Sequence, residues 1–496
     1  MSPVNETSAP AKLRTPDEYR ESLRDGRRVY FRGKQIEDVT TDPHLRVAVD
    51  HAARVEFEFA ESPEHRDLAV GPDGYSRFFH VPRSADDLLL RSKLIETGTR
   101  AGAGVTPLIK EIGSDALLSM LAIREVMGEP YAGRIEAFYE RAREQDLALC
   151  VAQTDFKGDR SLPPSKQSNP DAYLRIVEHR DDGIVVRGGK AHTSASVNSN
   201  EMIVLPTRAL GPDDADYAVS FAIPIDTPGL RLVVSPFGSD EVDEGDHPLW
   251  AKHKMTESST LFDDVFVPNE RIFLNGEYEK AMPLAFGFVE FHRFTAISYR
   301  LPYVDAMVGS AMLAAYSNGI ERKGHVRDKL TWLISYAETL RALTHHAALK
   351  CGFSEGVAIP DPMLVNIAKL HFAQGIHTAV QHVQDIAGGL LVTYPSLEDL
   401  EHPDYGPALA GYLEAANDIK GEDRLRLFHM ISDMTSGEMS GYSTALAIHA
   451  EGSIEAEKLT ILLRYDGMDS INFVRRLAKI DGADGASSNS NGTEAG

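Results

Sequence analysis

The middle of the chain carries the pattern that most restricts its fold, because strand-like segments follow one another there without helical periodicity. Examples are 183–188 (GIVVRG), 202–205 (MIVL) and 260–267 (TLFDDVFV), each rich in β-branched or aromatic residues. Turn sequences such as Asp-Asp-Gly and Asp-Thr-Pro-Gly separate the segments at roughly regular spacing. The pattern predicts a β domain, a barrel or a sandwich, over residues 147–282.

Helical patterns lie on both sides of this β domain. Residues 15–146 are predicted to form a mostly helical N-terminal domain, with one short β-hairpin at 28–36. Residues 283–480 show long amphipathic stripes, which indicate a helical bundle. Polar tails at 1–14 and 481–496 are predicted to be disordered. The chain is therefore predicted to be an α+β multidomain protein. The helices expected in its N-terminal domain include 45–59, 85–96 and 114–127.

The composition disfavours several classes of function. The 496 residues carry a net charge of −23, which argues against nucleic acid and against an anionic membrane as partners. We see no apolar run long enough for a membrane span and no secretory signal, and therefore expect a cytoplasmic protein. The two cysteines, Cys150 and Cys351, fit a reducing compartment and cannot build an all-cysteine metal cluster. We expect no metal site.

Two short segments combine hydroxyl groups with small residues, which suits a flat polar heterocycle. The first is AQTDFKGDR at 152–160, and the second is GGKAHTSASVNSNE about forty residues later. Thr154, Asp155, Thr193 and Ser194 would offer hydroxyls and backbone N–H groups to a flavin without adding bulk. Taken alone, the two segments are explained more simply as ordinary polar β-turns.

A few further positions are candidates for chemistry. Gly388 and Gly389 follow a predicted helix, where they either let the backbone approach an anion or only cap the helix. His292 is a candidate acid or base near neutral pH, and Arg293 or Arg300 could hold an anionic substrate or a phenolate; a helix-start histidine with surface arginines is equally open. Glu257 precedes a strand and is either a base or a solvated carboxylate.

Seven stretches of the sequence match one known family. They are TPDEYRESLRDGRRVYFRGKQIEDVTTDPHLR at 15–46, TDFKGDRSLPPS at 154–165, DGIVVRGGKAHTSASVNSNEMIVLP at 182–206, FDDVFVPNERIF at 262–273, FHRFTAISYR at 291–300, GHVRDKL at 324–330 and DIAGGLLVTYPS at 385–396. Over nearly its whole length the chain resembles the 4-hydroxyphenylacetate 3-hydroxylase family of two-component flavin monooxygenases. The resemblance implies an acyl-CoA-dehydrogenase-like architecture, with a helical N-terminal domain, a central β-barrel and a C-terminal four-helix bundle, assembled as a homotetramer.

The resemblance also implies a cofactor and the residues that bind it. Reduced FAD, supplied by a separate flavin reductase, would be the cofactor, with FMN as an alternative. The two glycines after the bundle helix would approach the flavin from a neighbouring subunit. The residues implied to bind the flavin are Thr154, Asp155, Lys157, Arg160, His192, Thr193, Ser194, Gly388 and Gly389.

The branch of the family is harder to assign. The family also contains 4-hydroxybutyryl-CoA dehydratase, in which three cysteines and one histidine hold a [4Fe–4S] cluster. His292 matches the histidine position, but Tyr299 stands where the later cysteine belongs, and the region 98–112 holds no cysteine. A cluster is therefore not expected. The hydroxylases carry a histidine near the position of Val151 here, and of their arginine and tyrosine only Arg100 has a candidate counterpart.

These observations predict the oxygenase component of a monooxygenase that uses O₂ and reduced FAD to hydroxylate a phenolic or similar electron-rich aromatic substrate. His292 is the expected base and Arg293 or Arg100 the expected partner of the phenolate, with Glu257 as a further candidate. One alternative is a cluster-free dehydratase or isomerase, in which Glu257 and His292 move protons on an acyl or small carbonyl substrate. Another is a flavoprotein without catalytic activity.

Overall fold

The computed structural model describes residues 13–237 and 242–480. The predicted tails therefore lie outside the described residues, apart from Leu13 and Arg14. The Arg14 side chain donates from its Nε to the backbone oxygen of Asp146 at 2.8 Å. The folded region thus begins slightly before residue 15.

Helices make up most of the first and last parts of the chain. The α-helices of the described residues are α1 (Pro16–Glu21), α2 (Arg46–Ala52), α3 (Phe59–Glu61), α4 (Arg66–Ala69), α5 (Ala85–Ala101), α6 (Glu111–Leu121), α7 (Arg124–Met127), α8 (Tyr131–Glu144), α9 (Ala281–Ser317), α10 (Gly324–Leu349), α11 (Pro362–Ala387), α12 (Gly406–Leu413), α13 (Gly421–Thr435), α14 (Glu438–His449), α15 (Ile454–Arg464) and α16 (Met468–Ala478). A π-helical segment, Ala53–Glu58, joins α2 to α3. The predicted helix at 85–96 is longer than expected, because α5 continues through Gly98 to Ala101.

Strands fill the middle of the chain and two short hairpins outside it. They are β1 (Val29–Phe31), β2 (Lys34–Ile36), β3 (Leu149–Ala152), β4 (Arg175–Arg180), β5 (Gly183–Ser194), β6 (Glu201–Val204), β7 (Val219–Pro224), β8 (Leu230–Val234), β9 (Glu257–Pro268), β10 (Ile272–Asn275), β11 (Gly352–Ser354) and β12 (Val357–Ile359). The hairpin predicted at 28–36 is confirmed as β1–β2, and it extends the central β region because β1 runs parallel to β8.

The central strands form two open sheets, and this corrects the expected β-barrel. One sheet has the order β2-β1-β8-β9-β5-β4 and the other β10-β7-β6-β3, with no closed barrel among the described residues. Phe221 of β7 and Phe262 of β9 meet edge to face across the two sheets, with ring centroids 6.1 Å apart. The apolar faces are buried against each other, so the core forms without closing a ring of strands.

The C-terminal helices form the predicted bundle. The 37-residue helix α9 packs against α10 and α11, and also against α5 and α6 of the N-terminal region. Helix α10 carries one of the apolar stripes predicted for residues 283–480: Val326, Leu333, Ala337 and Leu340 are buried, and Leu330 is partly buried. In the described parts of the chain, no helix combines the length and apolarity needed to cross a membrane.

Three elements bring the candidate residues together. In the register between β5 and β9, Ser194 lies opposite Glu257. Helix α9 carries His292 and Arg293 and, about two turns later, Tyr299 and Arg300. Helix α14 and the turn that follows it supply the remaining side chains of the candidate site.

Candidate active site

The two hydroxyl-rich segments of the sequence lie side by side. The backbone N–H of Ala191 on β5 donates to the backbone oxygen of Thr154 at 2.8 Å. Asp155 and Lys190 form an isolated antiparallel bridge one step further along. The segments around Thr154 and around Thr193 are thus part of one surface of the β region, as the sequence predicted.

Asp155 is occupied in holding this surface together. Its carboxylate pairs with the buried Lys190 ammonium at 2.9 Å and accepts from the backbone N–H of Leu174 at 3.0 Å. The hydroxyl of Thr207 donates to its second oxygen. Both carboxylate oxygens already have protein partners, so we assign Asp155 to positioning the segment. Its neighbours Lys157 and Arg160 are half-buried and exposed, respectively.

The hydroxyls at the end of β5 face the start of β9. Thr193 is buried, and its hydroxyl oxygen accepts from the Thr260 hydroxyl at 2.9 Å. Ser194 donates to Oε1 of Glu257 at 2.8 Å. The adjacent His192 is exposed, in line with the alternation of side chains along a strand.

Glu257 is the most perturbed acid at this edge. Besides Ser194, the phenol of Tyr442 on α14 donates to its Oε1 at 2.8 Å, and its Oε2 is buried with no protein hydrogen-bond partner among the described residues. Burial raises the pKa of Glu257 to about 7, although the two hydrogen bonds oppose the shift. The carboxyl group can therefore take up or release a proton near neutral pH.

A second carboxylate, Glu451, lies in the turn after α14. It accepts a short hydrogen bond from the Tyr299 hydroxyl, and Nη2 of Arg300 contacts its two oxygens at 3.1 and 3.2 Å. The Lys369 ammonium lies 3.9 Å away. Burial would raise the pKa of Glu451, but Arg300 and Lys369 outweigh it and lower the pKa to about 2. This carboxylate stays ionised.

A cavity lies between these two tyrosine–carboxylate pairs. Its wall includes Tyr299 and Tyr442, one tyrosine from each pair. Arg300 also reaches the wall, and its guanidinium stacks over the Phe372 ring at 4.7 Å. The wall is mostly aromatic and aliphatic. Its other members are Gly104, Val105, Thr106, Trp250, Met255, Tyr303, Phe372, Met439, Ser443 and Leu446.

The predicted base, His292, belongs to a neighbouring buried network. Its Nδ1 lies 2.8 Å from Oδ2 of Asp115, a buried carboxylate that also accepts from Arg91 at 2.7 Å and from Thr295 at 2.8 Å. The ring of His292 stacks on Phe288. Among the described residues, the cavity wall does not include His292. The network fixes the tautomer and orientation of the imidazole behind the cavity.

The two arginines proposed as phenolate partners have other partners. Arg293 is buried and donates to Oδ1 of Asn366 at 2.7 Å and to the backbone oxygen of Glu451 at 3.0 Å. Burial lowers its pKa. Arg100 has a 62% exposed side chain and pairs with Asp305 at 2.5 Å. The geometry does not support the role predicted for Arg100, because its guanidinium is committed to a surface ion pair.

The two glycines lie elsewhere on the bundle. Gly388 ends α11 with φ of 89°, and there is open space where a Cβ would stand at either glycine. With Lys329 and Asp385 they line a wide cleft that shares no lining residue with the Tyr299–Tyr442 cavity. Within one chain the structure does not bring these glycines to the Thr193 segment.

Comparison with known proteins assigns the class of the chain. Residues 15–274 match the N-terminal 4-hydroxyphenylacetate 3-hydroxylase family, and residues 280–479 match its C-terminal counterpart. The chain belongs to the 4-hydroxyphenylacetate 3-hydroxylase family, which confirms the resemblance seen in the sequence.

Both branches of the family appear among its relatives. The chain is 33% identical to 4-hydroxybutyryl-CoA dehydratase/vinylacetyl-CoA-Δ-isomerase of Clostridium aminobutyricum, covering 94% of this chain and 99% of the relative. An oxygen-tolerant archaeal 4-hydroxybutyryl-CoA dehydratase from N. maritimus superimposes with a TM-score of 0.89 at 30% identity, covering 96% and 97%. The oxygenase component (HpaB) of 4-hydroxyphenylacetate 3-monooxygenase complexed with FAD gives 0.88 at 26% identity, covering 94% and 98%. These neighbours confirm the acyl-CoA-dehydrogenase-like fold class.

Proposed function

We propose that this chain is the oxygenase component of an FAD-dependent monooxygenase that hydroxylates a phenolic or similarly electron-rich aromatic substrate. The observation that carries the proposal is the aromatic wall of the cavity, with the proton-accepting Glu257 reached through Tyr442. Aromatic side chains favour a flat apolar ring, and a carboxylate that titrates near neutral pH suits ionisation of a phenol. Relatives that carry out such hydroxylations support the proposal.

The residues at the end of β5 fit a flavin. The Oε2 of Glu257, buried and without a protein partner among the described residues, is an acceptor in need of a donor, and the hydroxyl residues Thr193 and Ser194 lie opposite this end of β9. Reduced FAD, or FMN as the alternative, would supply the activation of O₂. Gly388 and Gly389 would reach the cofactor from a second copy of the chain. Lys157, Arg160 and His192 are the further side chains that we assign to its polar groups.

The chain's own residues would act on the substrate. The aromatic and aliphatic wall would exclude water and hold the ring, while Glu257 accepts the proton of its hydroxyl. His292, fixed by Asp115, would order the helix segment that carries Tyr299. Of the arginines considered from the sequence, Arg300 rather than Arg293 or Arg100 is the cation that we assign to the cavity, because Arg300 lines its wall.

A second candidate function is a cluster-free dehydratase or isomerase acting on an acyl or small carbonyl substrate. It is favoured by the two carboxylates of the site, because a proton-exchanging Glu257 opposite an ionised Glu451 suits proton transfer without oxidation. The 33% identity to a dehydratase/isomerase adds to it. Tyr299 occupies the position that we align with the later cluster cysteine, so such an enzyme would lack the cluster.

Oxygen consumption separates the two functions. Purified protein would be mixed with chemically reduced FAD and a panel of substituted phenols, and O₂ uptake and hydroxylated products would be measured. The monooxygenase proposal predicts products that require both the phenol and O₂. Absence of any hydroxylated product, together with anaerobic turnover of a hydroxyacyl or enoyl thioester, would favour the second function instead. The catalytically inactive alternative predicts neither.

Flavin contact has its own test. Thr193→Ala combined with Thr154→Val should weaken FAD binding at least several-fold, while Thr227→Ala, a surface turn residue that donates to its own turn, should leave it unchanged. Fluorescence titration of FAD measures the affinity, and circular dichroism checks the fold. Unchanged affinity in the double variant would remove the β5 surface from the flavin site.

We further propose a cytoplasmic homotetramer that works with a separate reductase. Support for assembly comes from α15 and α16, whose apolar side chains are largely exposed in the single chain: Leu462 is 72%, Leu463 75%, Phe473 55% and Leu477 68% exposed. Phe473→Glu with Leu477→Glu should reduce the mass seen by light scattering, and Lys458→Ala should not. A tetramer that survives the double substitution would exclude this surface as an interface.

A further inference from the structure

The cavity carries three tyrosines whose hydroxyl protons are directed differently. Tyr442 donates to Glu257 at 2.8 Å and Tyr299 donates to Glu451. The Tyr303 hydroxyl donates to the backbone oxygen of Met434 at 2.8 Å. Because every one of these O–H groups is already used inside the protein, each phenol can offer only its oxygen lone pairs to a molecule in the cavity. A ligand hydroxyl that contacts them must therefore donate.

Of the three acceptors, only that of Tyr442 can itself receive a proton. The backbone oxygen that binds Tyr303 is not basic. Glu451 is held in its ionised form by two contacts with Arg300. Glu257 has Ser194 and Tyr442 on one oxygen, and its other oxygen is buried with no protein partner among the described residues. In the Tyr442–Glu257 pair, therefore, a tyrosine of the cavity wall contacts a carboxylate that can still accept a proton.

We propose that Tyr442 is a catalytic residue, which relays the proton of a substrate hydroxyl from the cavity to Glu257. The inference rests on the proposed function, because it requires a substrate that carries an acidic hydroxyl. As the substrate O–H bond breaks, its proton forms a new O–H bond at Oη of Tyr442. The original Tyr442 proton passes to Oε1 of Glu257, which becomes a neutral carboxylic acid. The substrate is left as an oxyanion, and Tyr442 ends as it began.

Groups from several elements act on the two ends of the relay. Ser194 of β5 donates to Glu257 and so keeps it available in its ionised form as the proton acceptor. Arg300 of α9 lines the same cavity as Tyr442 and would stabilise the oxyanion that forms there, whereas the phenol of Tyr299 is held on its own carboxylate. Lys254, on the segment before β9, lies over the Trp250 ring, with its ammonium 5.7 Å from the ring centroid. Ring contacts with Phe237 and Trp250 fix the orientation of the Tyr442 ring.

Ionisation of a bound phenol tests the relay without flavin or O₂. The probe is 4-cyanophenol, whose phenolate absorbs at longer wavelength than the neutral phenol, titrated into the intact protein between pH 5 and pH 9. Tyr442→Phe removes the relay oxygen and keeps the ring. Tyr303→Phe is the matched control, because it removes a cavity hydroxyl bound to a backbone carbonyl. Glu257→Gln removes the acceptor and keeps the hydrogen bond from Tyr442.

Wild type and Tyr303→Phe should bind 4-cyanophenol largely as phenolate at neutral pH. In Tyr442→Phe and Glu257→Gln the bound phenol should stay neutral, so that the midpoint of its ionisation rises by about one pH unit or more. An unchanged midpoint in Tyr442→Phe, in a protein that binds the probe, would overturn the relay and leave the proposed function intact. Failure of the wild type to bind any phenol would overturn both the relay and the phenolic substrate class.

Discussion

The two tyrosine–carboxylate pairs on the cavity differ most in the cation, which only Glu451 has in the described part of the chain. Both carboxylates are largely removed from water and both accept a phenol hydrogen bond. Glu451 also has Arg300 within 3.2 Å, and its pKa is lowered to about 2. Among the described residues no cation contributes to the shift of Glu257, and its pKa is raised to about 7. The charge of a neighbouring cation, rather than burial or the hydrogen bond from the phenol, therefore decides which carboxylate exchanges protons.

Removing the cation should have the largest effect. Arg300→Gln leaves Glu451 buried without its main partner, and we expect the free energy of unfolding to fall by about 3–5 kcal/mol. Urea unfolding measures it. Arg187→Gln, which breaks an exposed pair with Asp264, is the control and should cost at most about 1 kcal/mol. Equal losses in the two variants would mean that Glu451 does not depend on Arg300.

The pH dependence of the free energy of unfolding should reflect the pKa shifts of the two carboxyl groups, which have opposite signs. Glu257 binds its proton more tightly in the folded state, so its contribution to stability is present below its ordinary pKa of 4.5 and is lost as the pH rises towards 7. The loss is up to about 1.4 kcal/mol for each pH unit in that window. Glu257→Gln should abolish it. Glu451→Gln should instead change the slope between pH 4.5 and pH 2, because the Glu451 contribution is lost as the pH falls.

These slopes would be obtained from urea unfolding at intervals of half a pH unit. Glu178→Gln, at an exposed pair with Arg180 on β4, serves as a control that should alter neither window appreciably. A Glu257→Gln curve parallel to that of the wild type from pH 5 to pH 7 would contradict the raised pKa.

The smallest effects should come from the phenols. Tyr299 donates to an ionised carboxylate, and Tyr299→Phe should cost about 1.5–3 kcal/mol. At pH 6 Tyr442 bonds a mostly neutral carboxyl group, and Tyr442→Phe should cost only about 0.5–1.5 kcal/mol. Unfolding at pH 6 compares them directly. If Tyr442→Phe were the more costly, the assignment of charge to the two carboxylates would be reversed.

The order of the domains could be predicted from the sequence because it depends on local periodicity. The hairpin at 28–36, the strand pattern and the stripe through Leu333 and Leu340 are local features, and the structure confirms them. The strand pattern left a barrel and a sandwich open, and the choice of two open sheets between them could not be predicted. It depends on contacts such as Phe221 with Phe262, which are distant in sequence.

The site was predicted only in part, for the same reason. Glu257 and the Thr193–Ser194 segment stood out because each is next to a strand in sequence. Asp115, Glu451 and Tyr442 did not, because no local motif marks them, and they meet their partners over 177, 152 and 185 residues of chain, respectively. Glu451 reaches the core only through a turn in which its own φ is 57°.

The protonation state of Glu257 is the central claim, and infrared difference spectroscopy of the ligand-free protein tests it most directly. The carbonyl stretch of a protonated carboxyl group would be followed from pH 4 to pH 9 in wild type, Glu257→Gln and Glu451→Gln. We predict a band that disappears with a midpoint at about pH 7, is missing in Glu257→Gln and persists in Glu451→Gln. Bands that do not titrate with this midpoint belong to other buried carboxyl groups such as Glu56, whose pKa burial also raises. A band with this midpoint that persists in Glu257→Gln, or the absence of any such band in the wild type, would contradict the account.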